Sequence, residues 1–230
     1  MTNLNHVALI MDGNNRWAFN NRVEAKQAYR AGAENAFKII KAASDLGIKN
    51  ISLFAFSSEN FYRPEEEVNN IISLIVEYTK NETKRISDLG AKVKFVGDLS
   101  RFGEVAVNNL KNLEKISAEN NKINLYIMMG YGSREEIVSA CKKIVRKGLC
   151  SGEINEETLS EHLYYDVPDV DLLIRSGDKM RISNFLLWQS AYAELHFSKK
   201  LWPDFSPEDL KIAVEDYKSR SRTFGRRIDA

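Results

Sequence analysis

Cysteine, histidine and proline are all scarce in this chain, and it contains no long hydrophobic run. The two cysteines, Cys141 and Cys150, are too few for a disulfide framework and lack the paired spacing of a zinc site, which favours a reducing compartment. No apolar stretch approaches the length that crosses a bilayer, and the first residues do not have the regions of a signal peptide. We therefore expect a soluble, cytoplasmic protein.

The chain also has almost no net charge. Its 33 Lys and Arg residues nearly balance its 32 Asp and Glu residues, which leaves a formal charge of +1. Proteins that bind nucleic acid usually carry a basic excess, so no nucleic-acid partner is expected. Any site for an anion must be local.

Several catalytic signatures are missing. The sequence contains no GxSxG, GxGxxG or GxxxxGK[ST] motif, and His6, His162 and His196 do not have the spacing of metal ligands. These absences argue against a serine hydrolase, a zinc hydrolase and a nucleotide-binding enzyme.

Five short apolar runs recur along the chain, with helical segments between them. They are rich in β-branched and aromatic residues and apolar on both alternations, which is typical of parallel strands covered on both faces. The sequence therefore predicts an α/β fold with a central, mostly parallel β-sheet flanked by helices. No linker or repeat divides the chain, so we expect one domain over 1–230. The runs cover 7–11, 51–56, 93–97, 123–129 and 172–174.

The longest helix is predicted over 64–90. Three glutamates follow Pro64, Lys84 and Arg85 stand late in the segment, and Gly90 is a typical stop. A helix of about 25 residues is roughly 37 Å long. Its apolar stripe is wide enough to line a cavity, although packing against the sheet explains most of its positions.

Each apolar run ends in polar residues, and three of the clusters carry possible chemistry. Ligands bind outside the carboxyl ends of parallel strands, so we expect one composite site, although each cluster alone could be an ordinary polar turn. In the first, Asp12 could hold a hard cation and Arg16 could pair with phosphate oxygens. An Asx-type turn with Asp12 as helix cap explains that segment about equally well. The clusters are DGNNR, SSENFYR and RSGDKMR.

The second and third clusters offer similar groups. Glu59 or Asn60 could handle a proton and Arg63 could bind phosphate, and this role is compatible with a cap for the following helix. Arg175 and Arg181, with Ser183 after them, could hold a diphosphate beside the phosphate bound at the first cluster. The alternative is that both arginines are simply solvated at the surface.

In their order and spacing, these motifs resemble the undecaprenyl diphosphate synthase family of cis-prenyltransferases over nearly the whole chain. The resemblance implies a homodimer of α/β subunits with an elongated hydrophobic tunnel. Such enzymes use Mg²⁺ and condense isopentenyl diphosphate repeatedly onto farnesyl diphosphate, which gives a lipid carrier precursor for peptidoglycan and other cell-wall glycans. The DDxxD motif of the all-helical prenyltransferases is absent. The matching segments are HVALIMDGNNRWA, FAFSSENFYRP, VGD with SRF, MGYGSRE, VDLLIRSGDKMRISNFLLWQSAYAEL, LWPDF and RTFG.

The resemblance also implies roles for individual residues. Asp12 would serve catalysis and bind the metal, and Glu194 would be a second metal ligand near the dimer interface. Asn60 would be catalytic as a proton acceptor, but a carboxamide is a poor base, so an orienting role is the alternative. The allylic substrate would contact Gly13, Asn14, Asn15, Arg16, Trp17, Ser57, Ser58, Glu59, Phe61 and Arg63, and isopentenyl diphosphate would contact Arg175, Arg181, Ile182 and Ser183.

Several positions depart from the family pattern. Asn15 stands where the family usually has glycine, Ala25 where it has arginine, and Tyr29 and Met180 where it has histidine. Other cations could replace the missing arginine near Ala25. The family's C-terminal arginine, which would reach the partner subunit, is also missing from its usual position, where this chain has Thr223. The candidates are Arg22, Lys26 and Arg30 for the first position and Arg222 and Arg226 for the second.

Two alternatives remain at this stage. The product could have a different chain length, since the tunnel floor cannot be located from the sequence. The chain could instead be a non-catalytic subunit that supports a partner, although such a subunit would not need the Asp12 cluster. Transient contact with a membrane surface is expected in either synthase, because a polyprenyl product is too apolar to diffuse freely.

Overall fold

A six-stranded parallel sheet forms the centre of the computed structural model, which describes residues 4–221. The strand order is β3-β4-β2-β1-β5-β6, and the five predicted strands are all present. The RTFG motif, with Arg222 and Arg226, lies outside the described residues. The strands are β1 (His6–Ile10), β2 (Asn50–Ser57), β3 (Ala91–Val96), β4 (Ile123–Tyr131), β5 (Leu172–Arg175) and β6 (Glu194–Phe197).

Helices cover the sheet, as the α/β prediction requires. Most of them follow a strand and return the chain to the amino end of the next one, which is the βαβ arrangement that parallel strands need. The helices are α1 (Asn14–Asn21), α2 (Ala25–Asp45), α3 (Glu65–Asn81), α4 (Thr83–Leu89), α5 (Glu104–Ile116), α6 (Ser133–Arg146), α7 (Glu156–Glu161) and α8 (Pro207–Ser219).

The alternation of side chains along the strands produces two cores. Val7 and Leu9 on β1 face the larger one, where they pack with side chains of α2, α3, α5 and α8. Ala8 and Ile10 face the other side of the sheet and pack with Phe185 and its neighbours. Because successive side chains of a strand point to opposite faces, one apolar run can serve both cores.

The predicted helix over 64–90 is divided in two, so the expectation of one continuous helix is wrong. α3 ends at Asn81 and α4 begins at Thr83, with Glu82 between them at φ −97° and ψ 11°. The 17 residues of α3 span about 26 Å. None of the helices between residues 4 and 221 combines the length and the apolar character needed to cross a membrane.

The order of the strands creates a switch point between β1 and β5. The chain leaves β1 towards β2 on one side, whereas β5 pairs with the opposite edge of β1 and leads to β6. The connections after these two neighbouring strands therefore diverge, which leaves a crevice at their carboxyl ends. Ligands of open α/β sheets bind in such crevices.

Candidate active site

A cavity of about 740 Å³ opens at this switch point and continues between the sheet and helices α2 and α3. Its polar end is lined by Asp12, Asn60, Arg63 and Arg175, and the rest of its wall is mainly apolar. The polar end also includes Asn14, Ser57, Glu59, Arg181 and Ser183, and the apolar wall includes Ala36, Ile40, Leu53, Ile75, Leu113 and Leu125.

The strand register gives the extent of this cavity. Leu125 on β4 lies level with Val7 on β1, through Ile51 on β2, and Val7 precedes Asp12 by five residues. At about 3.3 Å per residue along the strands and 4.8 Å between strands, the cavity reaches roughly 20 Å from Asp12 to Leu125 on β4. It is therefore deep enough for an extended apolar chain of moderate length.

Asp12 is held between two arginines. One carboxylate oxygen lies 2.9 Å from Nη2 of Arg175, and the other lies 3.1 Å from Nη2 of Arg16. The Arg175 side chain is only 5% exposed, whereas that of Asp12 is 29% exposed. The alternative in which Asp12 caps α1 is wrong, because the N-cap is Gly13 and no side chain caps this helix.

Gly13 lets the chain turn sharply from β1 into α1. Its φ of 118° is in the left-handed region, and a Cβ there would lie 2.9 Å from the Leu201 side chain. Only glycine can adopt this φ and also avoid the clash with Leu201, because it has no Cβ. The turn therefore brings the first backbone N–H groups of α1, which attract anions, close to Asp12.

Arg175 also organises the segment that follows β5. Its Nη1 donates hydrogen bonds of 2.6 Å to the Arg181 carbonyl and of 2.6 Å to Ser183 Oγ. Arg181 is exposed and lines the cavity with Ser183, whereas Ile182 packs against the second core. The two predicted arginines thus reach the same end of the cavity as Asp12.

The segment after β2 forms a 3₁₀ turn with a reciprocal cap. Ser57 Oγ accepts from the Asn60 N–H at 3.2 Å, and Asn60 Oδ1 accepts from the Ser57 N–H at 3.0 Å. Phe61 packs its ring against Phe56 and Phe102 and fixes the turn to the core. The amide oxygen of Asn60 is thus already engaged, which leaves its Nδ2 group available to the cavity.

Glu67, which the sequence marked only as one of three glutamates at a helix start, is the centre of a polar cluster. Its Oε1 accepts hydrogen bonds from Asn15 at 3.1 Å, Tyr29 at 2.8 Å and Arg63 at 3.0 Å. Burial alone would raise the pKa of Glu67, but these donors and the charge of Arg63 outweigh it and lower that pKa. Burial raises the pKa of Tyr29 to about 12. The cluster connects α1, α2 and α3 beside the cavity.

Eight of the predicted site residues are not part of the cavity wall, namely Gly13, Asn15, Arg16, Trp17, Ser58, Phe61, Ile182 and Glu194. Trp17 donates from Nε1 to Asp204 Oδ1 at 2.8 Å and so joins α1 to the LWPDF segment. Ser58 donates to Glu135 at 3.0 Å, at the start of α6. Met180, at the position of the family's histidine, is 82% exposed.

Glu194 is not brought together with Asp12 in this chain. It lies at the amino end of β6, level with Leu172 and Val7, whereas Asp12 follows the carboxyl end of β1. Its carboxylate is 2.7 Å from Nη1 of Arg220. The predicted role of Glu194 as a metal ligand therefore requires a second copy of the chain.

The donor set at the polar end suits a magnesium ion that carries diphosphate. Within residues 4–221, no three His, Cys, Asp or Glu side chains are grouped to hold a metal by themselves. Asp12 nevertheless offers a carboxylate, and Asn14 Oδ1 is a buried oxygen without a hydrogen-bond partner. Mg²⁺ typically takes one or two protein oxygens and completes its shell with substrate phosphates and water. These residues therefore fit the ion.

Comparison with known proteins gives a consistent result. The prenyltransferase family model that describes undecaprenyl diphosphate synthases matches residues 10–225. An isoprenyl transferase of Rickettsia typhi is 45% identical over 229 residues, which is 99% of this chain and 100% of the relative.

Two solved structures share the fold. A lavandulyl diphosphate synthase from Lavandula x intermedia, in complex with dimethylallyl diphosphate, superposes with a TM-score of 0.93 at 35% identity and covers 96% of this chain and 98% of its own. A probable undecaprenyl diphosphate synthase from Campylobacter jejuni gives a TM-score of 0.84 at 32% identity, with coverages of 98% and 100%.

Proposed function

Because the chain belongs to the undecaprenyl diphosphate synthase family of prenyltransferases, we propose that it makes di-trans,poly-cis-undecaprenyl diphosphate from farnesyl diphosphate and isopentenyl diphosphate. The product would supply the lipid carrier for peptidoglycan and other cell-wall glycans. The observation that carries this proposal is the division of one cavity into a cationic and carboxylate end and an apolar remainder. A prenyl diphosphate likewise has a charged diphosphate at one end and an apolar hydrocarbon chain over the rest of its length.

The reaction begins when the allylic C–O bond of farnesyl diphosphate breaks, which leaves a delocalised cation and a highly charged diphosphate. The N–H groups of α1 and the guanidinium groups of Arg16 and Arg63 would stabilise that leaving group. Bound Mg²⁺, held by Asp12, would supply further charge neutralisation. No nucleophilic side chain is needed, since the alkene of isopentenyl diphosphate is the nucleophile.

Arg175, Arg181 and Ser183 would hold the diphosphate of isopentenyl diphosphate beside the first site. Arg175 lies at the end of β5 and Arg181 in the loop that follows, so they would bind different diphosphate oxygens. Because they lie next to Asp12, the two substrates would bind at neighbouring strand ends.

Asn60 would orient a diphosphate through Nδ2, because its Oδ1 is already bonded to the Ser57 N–H. The proton lost when the new cis double bond forms would then pass to a diphosphate oxygen or to water. An Asn60→Asp variant tests this role, since a carboxylate cannot donate to diphosphate. Full turnover of that variant would remove any specific role for the carboxamide.

The lavender enzyme supports an allylic diphosphate site in this fold, because its structure contains dimethylallyl diphosphate. We propose that residues 1–230 act as one catalytic unit and that two copies form a homodimer. Glu194 would then serve the neighbouring copy, and the adjacent Tyr192 and Leu195 are 66% and 39% exposed. A transient contact with the inner face of the plasma membrane would allow the apolar product to leave.

A direct assay tests the function. Purified protein is incubated with farnesyl diphosphate, labelled isopentenyl diphosphate and Mg²⁺, and the products are separated by chain length. We expect a ladder that ends at the C55 product, and we expect Mg²⁺ chelation to abolish it. A ladder that ends elsewhere would correct the product length. No elongation by the folded protein would contradict the proposal.

A further inference from the structure

A polar cluster at the edge of the cavity joins the segments that follow three strands, β2, β4 and β5. Asn184 follows Ser183 in the loop after β5, Glu59 lies in the turn after β2, and Glu135 lies at the start of α6 after β4. Asn184 Nδ2 donates to Glu59 Oε1 at 2.9 Å and to Glu135 Oε2 at 3.3 Å. Ser58 Oγ donates to the other oxygen of Glu135 at 3.0 Å.

Asn184 is also anchored to the first turn of α6. Its backbone carbonyl accepts from the Ser133 N–H at 2.9 Å, and its Oδ1 accepts from the Arg134 N–H at 2.9 Å. Two of the N–H groups that a helix leaves unpaired at its start are thus satisfied by one residue of another loop. The loop is therefore fixed to a rigid element that begins at the end of β4.

The backbone of this loop shows why it needs such an anchor. Ser183 and Asn184 have φ values of 49° and 61°, so two consecutive residues other than glycine are in the left-handed region. Such conformations persist where the surrounding contacts determine them, and they are frequent at functional sites. Both residues line the cavity: Ser183 accepts from Arg175, while Asn184 donates to Glu59.

Gly132 provides the space for the cluster. A Cβ at this position would overlap the Glu135 carboxylate and lie 2.6 Å from Ser58 Oγ and 2.8 Å from Asn184 Nδ2. The φ of Gly132 is −148° and its ψ is 130°, a conformation that alanine also adopts. Any effect of an alanine there would consequently arise from displaced side chains rather than from backbone strain.

We infer that Asn184 and Glu135 are positioning residues that set the distance between the two diphosphate-binding segments, Ser57–Arg63 and Arg175–Ser183. This inference rests on the proposed function. Asn184 reaches no reacting atom through these bonds; it acts by holding Ser183 and Arg181 at the orientation in which they meet isopentenyl diphosphate. The network extends the site to a residue, Glu135, that lies outside the cavity wall.

An isosteric substitution tests the inference. In Asn184→Asp the donor becomes an acceptor that faces the carboxylates of Glu59 and Glu135, while the bond from the Arg134 N–H remains possible. Repulsion between these like charges would move the loop. We expect the KM for isopentenyl diphosphate to rise about tenfold and the Kd for pyrophosphate, measured by calorimetry, to rise similarly. Asn155→Asp, the same change at the cap of α7, is the matched control.

A rescue distinguishes positioning from general destabilisation. Glu135→Gln alone is expected to have little effect, since the amide can turn its oxygen to Asn184 and its nitrogen to Ser58 Oγ. In the double variant Asn184→Asp/Glu135→Gln the amide donates to the new carboxylate. This removes one of the two like-charge contacts and leaves the one with Glu59, so we expect the KM to fall to a value between those of Asn184→Asp and the unaltered enzyme. Gly132→Ala should raise the KM as Asn184→Asp does.

The outcomes separate the inference from the proposed function. If the unaltered protein elongates farnesyl diphosphate but Asn184→Asp leaves both the KM and the pyrophosphate Kd unchanged, the positioning role is wrong. The role is also wrong if the double variant is no better than the single one. If the unaltered protein does not elongate, the proposed function fails, and the pyrophosphate measurements still test the cluster.

Discussion

The Asp12 carboxylate lies 2.9 Å from the guanidinium of Arg175, although the two residues are 163 positions apart in sequence. They meet because β1 and β5 pair in parallel and end together at the switch point of the sheet. In the absence of substrate, Asp12 is therefore paired with Arg175 and Arg16, the two cations that would otherwise be free to bind a diphosphate. Substrate has to displace an internal anion before it can bind to Arg175 and Arg16 in full.

We predict that Asp12→Asn separates binding from catalysis. Without the competing carboxylate, Arg175 and Arg16 are freed for an anion, so metal-free pyrophosphate should bind about three- to tenfold more tightly in calorimetry with a chelator. Elongation with Mg²⁺ should fall by about 10² to 10³, because the proposed magnesium site would lose its carboxylate ligand. Asp45→Asn, which breaks the surface pair with Lys41, is the control. Weaker pyrophosphate binding to Asp12→Asn would contradict this account.

The Glu67 cluster gives a second prediction. Tyr29→Phe removes one of three donors to Glu67 Oε1 and leaves Arg63 less firmly held. We expect the KM for farnesyl diphosphate to rise about three- to tenfold with little change in kcat. Tyr29→His, which keeps a ring donor, should stay within about threefold of the unaltered enzyme. Tyr62→Phe removes a hydroxyl from a side chain that is 87% exposed, and steady-state kinetics should show no change for it.

The apolar wall gives a third prediction, which concerns product length. Ala36 lies on α2, is half-buried and lines the cavity. Ala36→Phe would place a ring in space that the growing chain needs, so the product ladder should end earlier while the first condensations continue. Val138→Phe adds a ring at an exposed position of α6 and is the control. An unchanged ladder for Ala36→Phe would show that the product takes another path.

The fourth prediction concerns stability in mild acid. His6 is buried with its ring nitrogens 2.8 Å from the Pro168 carbonyl and 2.8 Å from Ser52 Oγ, and burial lowers its pKa to about 4. Between pH 6.5 and 4 the unfolded chain binds a proton that the folded chain does not, so stability falls as the pH falls. The slope from one such group is at most about 1.4 kcal/mol per pH unit.

Urea unfolding at several pH values measures this effect. His6→Gln is less stable at neutral pH because it disturbs two buried hydrogen bonds, but it lacks the titrating group. The difference in unfolding free energy between the two proteins should therefore shrink as the pH falls from 6.5 to 4. A constant difference would mean that His6 does not titrate as its burial requires.

The parallel strands could be predicted because their residues carry the signal themselves. β1 and β5 are short, apolar runs on both alternations, and each is followed by a polar cluster. β6 was missed, since Glu194–Phe197 alternates polar and apolar residues over only four positions. The break at Glu82 was also missed, because no glycine or proline interrupts the segment between Glu65 and Leu89 and the apolar pattern resumes at Ile86.

The polar residues of the candidate site were predicted only in part, because only some of them stand where a local sequence pattern indicates a site. Asp12 and Arg175 stand at strand ends, where the sequence pattern itself indicates a site. Glu67 and Glu135 stand in the first turns of helices, where glutamate is expected for its effect on the helix dipole. Their contacts with Tyr29 and Asn184 depend on how segments that are distant in sequence pack together in the fold, and no local sequence pattern indicates that.

The position of β1 between β2 and β5 also has a consequence during synthesis. Until 172–175 have left the ribosome, β1 is the exposed edge of the nascent sheet, and unpaired edges invite association with other chains. Most of the apolar cavity wall comes from residues before 130 and is already made by then. A chain that stops short of β5 would thus present an apolar pocket without Arg175. In the full chain, the pairing of β5 with β1 covers that edge and also brings Arg175 to Asp12.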